Sequence, residues 1–471
     1  MSQPFNTEKQ GAGKIAAMTT DTLTRPTLPP GPPCRWLGLP ELGALRRDYL
    51  GFLSGLQRRH GDIVHLRLMH YRDYNFFHPE QVRELLVAAH EGLIRWERAI
   101  EVFAAAHGQS VLVAEGPAWK RQRQMLQPGF APKRVEAFAP LMVAATEQAL
   151  AGWQSGPEFG FESAMTQLTM EVILRSLFSR SDTAEGRRAA DAVHAISLIG
   201  MQEMFWPASA PLWAPWKTGK RRALQTLDGL IRGELARRRA MPDFQGEDLL
   251  QMLLQLRDPQ GRPLGEQALR DECMTIFLAG HETSAAALTW WGWCMAAHPE
   301  AQRRAADELH AVLGGRAPSA ADLPRLPWLQ ACIKEVLRLY PPAPALLSRI
   351  STVPLQIGGY TLPAGSMIRL TPGIIQRDPR WFEEPEAFRP ERFDPASGHA
   401  EIPRGAWLPF GAGPRVCLGS HFALTEIGLI AALLLQRYEL APAPGRPAPI
   451  PALRITLRPT EPLRLTLRPR G

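Results

Sequence analysis

Lysine is scarce: seven of the 54 basic residues are lysine and the rest arginine. The arginines are spread along the whole chain, with no compact basic block and no interleaved aromatics. The formal charge of +8 is therefore not the footprint of a nucleic-acid-binding surface; an acidic protein partner makes better use of it. Cysteine is scarcer still. The five (Cys34, Cys273, Cys294, Cys332, Cys417) are odd in number and scattered, with no C-x-x-C pair. That excludes a disulfide framework and a thiolate zinc cluster, and makes a reducing compartment, the cytoplasm, the expectation. No apolar run in the first 27 residues is long enough for a signal peptide or membrane anchor. Gly11-x-Gly13-Lys14 lacks the four-residue gap of a phosphate loop. Internal repeats are absent too.

What is present is an ordinary globular mix: 471 residues, 45% hydrophobic and 21% charged. A chain of this size buries about three quarters of its unfolded surface, so it needs no disulfide or structural metal. Residues 1–27 read as a polar, disordered leader, with Met1 or Met18 as the start, and Leu28-Pro-Pro-Gly-Pro-Pro33 as a stiff extended entry to one domain, 28–471. Helical periodicity covers Leu39–His60, Pro79–Ala89 and most of Val135–His310, with breaks near 156–160, 207–215 and 258–265. It returns over Leu329–Tyr340, ending at Pro341-Pro342, and over Phe422–Tyr438. Short strands are expected at 62–69, 74–77, 355–357 and 367–371, with a β-like tail at 454–457 and 464–467. The fold class is mainly α with a minor β part.

Chemistry concentrates in Phe410-Gly-Ala-Gly-Pro-Arg-Val-Cys-Leu-Gly419, a Gly/Pro-rich loop running into an apolar helix. The helix N-terminus and Arg415 are expected to favour a thiolate at Cys417. Gly411, Gly413 and Gly419 allow a tight turn and close approach to a flat cofactor.

This loop resembles the haem-binding signature of the cytochrome P450 family, with Cys417 in the place of the axial thiolate. The remaining family motifs occur in order. Glu335-x-x-Arg338 matches the family's E-x-x-R, a spacing that recurs after seven other glutamates here. Its place before Tyr340-Pro-Pro342 singles it out, and Pro390-Glu-Arg-Phe393 supplies the third member, Arg392. The resemblance makes Glu335, Arg338 and Arg392 a structural network. Ala279-Gly-His-Glu-Thr-Ser284, inside a long apolar helix over about 266–297, resembles the distal motif. It implies room for dioxygen at Ala279 and Gly280, a hydrogen bond from Thr283 to bound dioxygen, and proton relay through Glu282; His281 is given no role. Trp119-x-x-x-Arg123 matches the family's third helix, and Arg349 and Arg415 complete a cationic set for the propionates.

The resemblance covers the chain from about Leu28 onward and implies a single large P450 domain. Haem b is the implied cofactor, and the implied reaction is dioxygen-dependent hydroxylation or epoxidation of a hydrophobic fatty acid, terpenoid or steroid-like molecule. With no fused flavin domain, electrons are expected from a separate ferredoxin- or flavodoxin-type donor with its reductase, docking near Lys120, Arg121, Lys133 and Arg134. A monomer without a membrane span is expected. Ala343–Leu347, Phe277–Thr283 and the 93–113 stretch are the expected pocket walls, and Phe205, Trp206, Trp213 and Trp216 a candidate access lid. Two rivals remain at this level: a peroxide-driven peroxygenase or decarboxylase, and a non-catalytic haem-thiolate sensor.

Overall fold

Proline at the first or second position opens many of the helices, where its missing N–H costs no hydrogen bond. The computed structural model describes residues 28–180, 183–204, 213–241, 243, 244, 246, 248–258 and 260–470. The leader 1–27 with Met18, and the pair Phe205 and Trp206, lie outside the described residues. Helices α1 (Leu39–Arg47) and α2 (Tyr49–His60) lead into strands β1 (Ile63–Leu68) and β2 (Tyr71–Phe76). Then come α3 (Pro79–Arg83), β3 (Leu93–Arg95), α4 (Glu97–His107), α5 (Gly116–Leu126) and α6 (Pro132–Ala151). After β4 (Gly156–Phe159) the chain is helical: α7 (Phe161–Phe178), α8 (Thr183–Met204), α9 (Thr218–Arg239), α10 (Leu249–Gln255), α11 (Glu266–Ala297), α12 (Pro299–Leu313) and α13 (Pro327–Leu339). Next are β5 (Arg349–Ser351), β6 (Leu355–Ile357), β7 (Tyr360–Leu362), β8 (Met367–Leu370) and α14 (Pro372–Ile375). The chain ends with α15 (Ser420–Arg437), β9 (Tyr438–Pro442), β10 (Pro451–Leu453), β11 (Leu457–Pro459) and β12 (Leu465–Pro469).

The architecture is mainly α with small sheets, as expected, but three local expectations change. The helix over 39–60 is two helices, because Asp48 leaves helical geometry and caps α2 by accepting from the Gly51 N–H at 2.9 Å. The expected break at 156–160 contains β4, which pairs with β12. Residues 454–456 are not strand; they form the tip of the β10–β11 hairpin. One five-stranded sheet runs in the order β1-β2-β8-β5-β3, with only β2 and β8 parallel. Its β3–β5 register sets Arg95 opposite Arg349.

Helix α11 organises the helical part. Its 32 residues span about 48 Å, and it stops at His298, whose backbone is pushed out of the helical region by Pro299. Gly292 lets α7 come close: a Cβ there would lie 2.1 Å from the Phe161 ring. His281 is more than a helix-face histidine. It is buried, its Nδ1 meets Thr169 Oγ1 of α7 at 3.0 Å, and burial pushes its pKa down to about 3, so it is a neutral strut. Among the described residues no helix is long and apolar enough to cross a membrane.

The Glu335–Arg338 pair on α13 is fully buried and bidentate, with both bonds at 2.7 Å. Arg338 also donates to the carbonyls of Gln376, Pro385 and Ala387, while Arg392 Nε reaches Glu335 Oε1 at 3.3 Å. This network pins the long loop after β8 against α13. Removing one partner leaves an uncompensated buried charge, which costs about 3–5 kcal/mol. Glu335→Ala is expected to lower the unfolding free energy in urea titration by about that amount; a loss below about 1 kcal/mol contradicts the reading.

Candidate active site

A cavity of about 490 Å³ lies where α4, α5, α8, α11 and the loop before α15 meet. Of the residues singled out around the cysteine, Trp119, Arg123, Ala279, Gly280, Glu282, Thr283, Arg349, Phe410, Gly411, Arg415, Cys417 and Gly419 face it, and Gly413 does not. Residues 95–112 and 343–347 contribute as expected. Phe277 does not; it is buried in the core between helices. Of the candidate lid residues, Trp213 and Trp216 face solvent at 73% and 59% exposure and are not in the described cavity lining.

The cysteine loop is closed by the Cys417 N–H donating to Phe410 O at 2.9 Å. Gly413 takes φ +72°, and a Cβ on it would sit 2.0 Å from Leu86 O, so the loop tolerates only glycine there. Gly419 is different: its φ is ordinary, and a Cβ would meet no protein atom, only the cavity. Cys417 is open to the cavity yet deep in the fold. Burial raises its pKa, opposed by the Gly419 N–H and then by Arg123. The expected stabiliser, Arg415, acts elsewhere. It lies 2.5 Å from Glu115 Oε2, with its guanidinium 4.2 Å from the Trp119 ring centre. Arg123 instead donates to Val416 O at 2.8 Å, gripping the residue before the cysteine.

One cavity arginine had no motif to reveal it. Arg95, at the end of the short apolar strand Leu93-Ile94, faces Arg349 across β3–β5. Like charges directly opposite destabilise a sheet. Burial, then Arg415 and Arg349, lowers the Arg95 pKa to about 9; burial, then Arg415, lowers that of Arg349 to about 10. Glu115, 3.7 Å from Arg95, is the one carboxylate among the described residues ion-paired with Arg95 or Arg415. Arg95 Nε has no partner there, and Arg349 makes one weak bond, 3.3 Å to Leu347 O.

On the facing wall, Thr283 Oγ1 donates to Ala279 O at 2.7 Å, the helical bond of the preceding turn. Glu282 is held from two sides. Ser197 of α8 donates to its Oε2, and Thr456 at the hairpin tip donates to Oε1 at 3.2 Å. Neither partner carried a sequence signal, since both come from elements far along the chain.

A family model described as Cytochrome P450 matches residues 29–467. The chain belongs to the cytochrome P450 family. Cyclooctat-9-en-7-ol 5-monooxygenase of Streptomyces melanosporofaciens is 35% identical, covering 86% of this chain and 89% of that protein. Cyclooctatin synthase of the same organism is 33% identical over 95% and 96% of the two chains. Pentalenene oxygenase of Streptomyces avermitilis is 30% identical over 91% and 95%. This P450 is thus a haem-thiolate monooxygenase, and its cofactor is iron protoporphyrin IX.

The cavity suits that group on its own evidence. Its arginine cluster is short of anions, as a wall facing two propionates would be. Its Gly419 face is open to a flat ring. Arg349→Met removes the member of the facing pair that has no carboxylate partner among the described residues. It is expected to raise the thermal midpoint of the haem-free protein while speeding haem dissociation about tenfold. A lower haem-free midpoint, or unchanged haem retention, contradicts this.

Proposed function

We propose that this P450 inserts one oxygen atom of dioxygen into an apolar, ring-containing terpenoid. Substrate, dioxygen, two electrons and two protons become hydroxylated or epoxidised product and water. The observation that carries the reading is the apolar cavity joining the open sulfur of Cys417 to the Ala279–Thr283 turn of α11. The names of the three relatives support the terpenoid class.

Cys417 is the proposed thiolate ligand; Arg95, Arg349, Arg415, Trp119 and Arg123 hold the propionate edge, and Phe410 and Gly419 border the ring. The haem, when bound, supplies dioxygen activation, with the thiolate pushing electron density toward O–O cleavage. The chain's own residues manage space and protons. Ala279 faces the cavity, Gly280 lets Ile173 of α7 come close to α11, Thr283 holds a hydroxyl proton at Oγ1, and Glu282 is kept in place by Ser197 and Thr456 so that it delivers protons from one position. Apolar walls at Val102, Phe103, Ile196 and Ile276 exclude water. The electron donor is a separate ferredoxin- or flavodoxin-type protein. Lys120, Arg121, Lys133 and Arg134, all exposed on α5 and α6, support acidic docking there.

A peroxide-driven reaction gains no support: the described lining from α4, α8 and α11 holds no arginine, and Arg458 of β11, which reaches the Glu282 carbonyl at 3.3 Å, also serves Glu162 and does not line the cavity. With a surrogate ferredoxin and reductase, isotopically labelled dioxygen is expected to place its label in the product. Thr283→Ala is expected to cut product per electron pair about tenfold, releasing hydrogen peroxide instead. Label arriving from water, or equal turnover with peroxide alone, refutes the proposal.

A further inference from the structure

The substrate-side polar groups of the cavity are almost all spoken for. Ser197 and Thr456 serve Glu282. His107 Nδ1 lies 3.2 Å from Thr275 Oγ1, which donates to Ser110 Oγ at 2.6 Å. Lys220 Nζ donates to Glu203 Oε2 at 2.5 Å. Glu272 is the exception. It lines the cavity at 2% exposure, and its Oε1 accepts the Val111 N–H at 3.0 Å. Its Oε2 has no partner among the described residues. A buried polar atom left unpaired in a native site calls for an explanation.

Its place on α11 supplies one. Glu272 and Ala279 are seven residues apart, so they share a helix face about 10 Å from each other. Thr275 and Ile276 lie between them on that face. A ring system resting on this stretch has one end at Ala279 and the other at Glu272. We propose that Glu272 recognises a hydroxyl group already present on the substrate, about 10 Å across the molecule from the carbon that is oxidised. This deepens the terpenoid reading and rests on it.

The electrostatics favour an uncharged handle. Burial, and then Asp271, pushes the Glu272 carboxyl up to about 8, so near neutral pH it is an acid that both donates and accepts. Burial holds neighbouring His107 neutral, with a pKa of about 3, while Lys220 shares the single carboxylate of Glu203 with Lys217. A hydroxyl pairs with a neutral carboxyl, whereas a substrate carboxylate at the same place would set a second acid against the buried Glu272. A reaction that installs oxygen on the hydrocarbon skeleton must therefore precede this enzyme.

Isothermal titration calorimetry of the haem-loaded protein with abietadiene, abietadienol and abietic acid tests this, since the three differ only in the oxidation of one carbon. Wild type is expected to bind the alcohol about tenfold more tightly than the hydrocarbon, and the acid more weakly than the alcohol. Glu272→Gln, which still donates and accepts, keeps most of the preference. Glu272→Leu brings alcohol and hydrocarbon to within about twofold, with hydrocarbon affinity held or improved. Equal wild-type affinity for the two, a preference that survives in Glu272→Leu, or tightest binding of the acid overturns the role of Glu272. The first of these needs no variant and stands even if Glu272→Leu fails to fold. Binding of none of the three overturns the terpenoid reading itself, and this proposal with it.

Discussion

Two arginines buried face to face across a short β ladder, with a third close by and one shared carboxylate, form the constraint on which the rest of this P450 depends. Among the described residues those three guanidinium groups share one carboxylate, Glu115, and otherwise donate to the backbone carbonyls of Leu112, Leu347 and Ala114. An anionic group bound at this wall would offset their charge, and that is the place we propose for the carboxylates of the haem. The sheet is the means. Strand β5 brings in Arg349 beyond Pro342, and β3 brings in Arg95 from 254 positions earlier. Local stability is given up there for affinity toward the bound group.

The other walls follow from that plane. The Glu335–Arg338 pair and its carbonyl partners tie the long irregular segment to α13, which holds the cysteine loop at a fixed height. Gly413 presses that loop against Leu86, and Cys417 opens toward the same cavity as the arginines. Opposite stands α11, its central turn built of small residues followed by an acid and an alcohol. The acid is kept in place by α8 and by the hairpin tip, so the side chain proposed to handle protons depends on elements that border the cavity.

How much of this could be read beforehand follows from sequence distance. The cysteine loop, the Glu335–Arg338 pair and the α11 turn are local patterns, since their members lie within ten residues of one another and the backbone brings them together. Helix α11 was legible to its ends, because Gly265 and Pro299 punctuate a long apolar run. Arg95 was not: what makes it functional is a strand pairing with Arg349, which no local periodicity encodes. Ser197, Thr456 and the spare oxygen of Glu272 are likewise products of packing between distant elements. The assignment of Arg415 to the thiolate failed for a related reason. Sequence adjacency placed it near Cys417, whereas its side chain turns to Glu115 and leaves that part to Arg123. The break at Asp48 shows the same limit on a small scale, a side-chain cap overriding a continuous amphipathic pattern.

The central claim is that the cavity holds haem through Cys417. The visible spectrum of the reduced protein under carbon monoxide tests it most directly, with wild type set against Cys417→His. A thiolate opposite the carbonyl shifts the main haem band far to the red of its position with imidazole. The account predicts that red-shifted band in wild type and its replacement by the imidazole-type band in the variant. Identical spectra for the two proteins, or a wild type that takes up no haem, would contradict it.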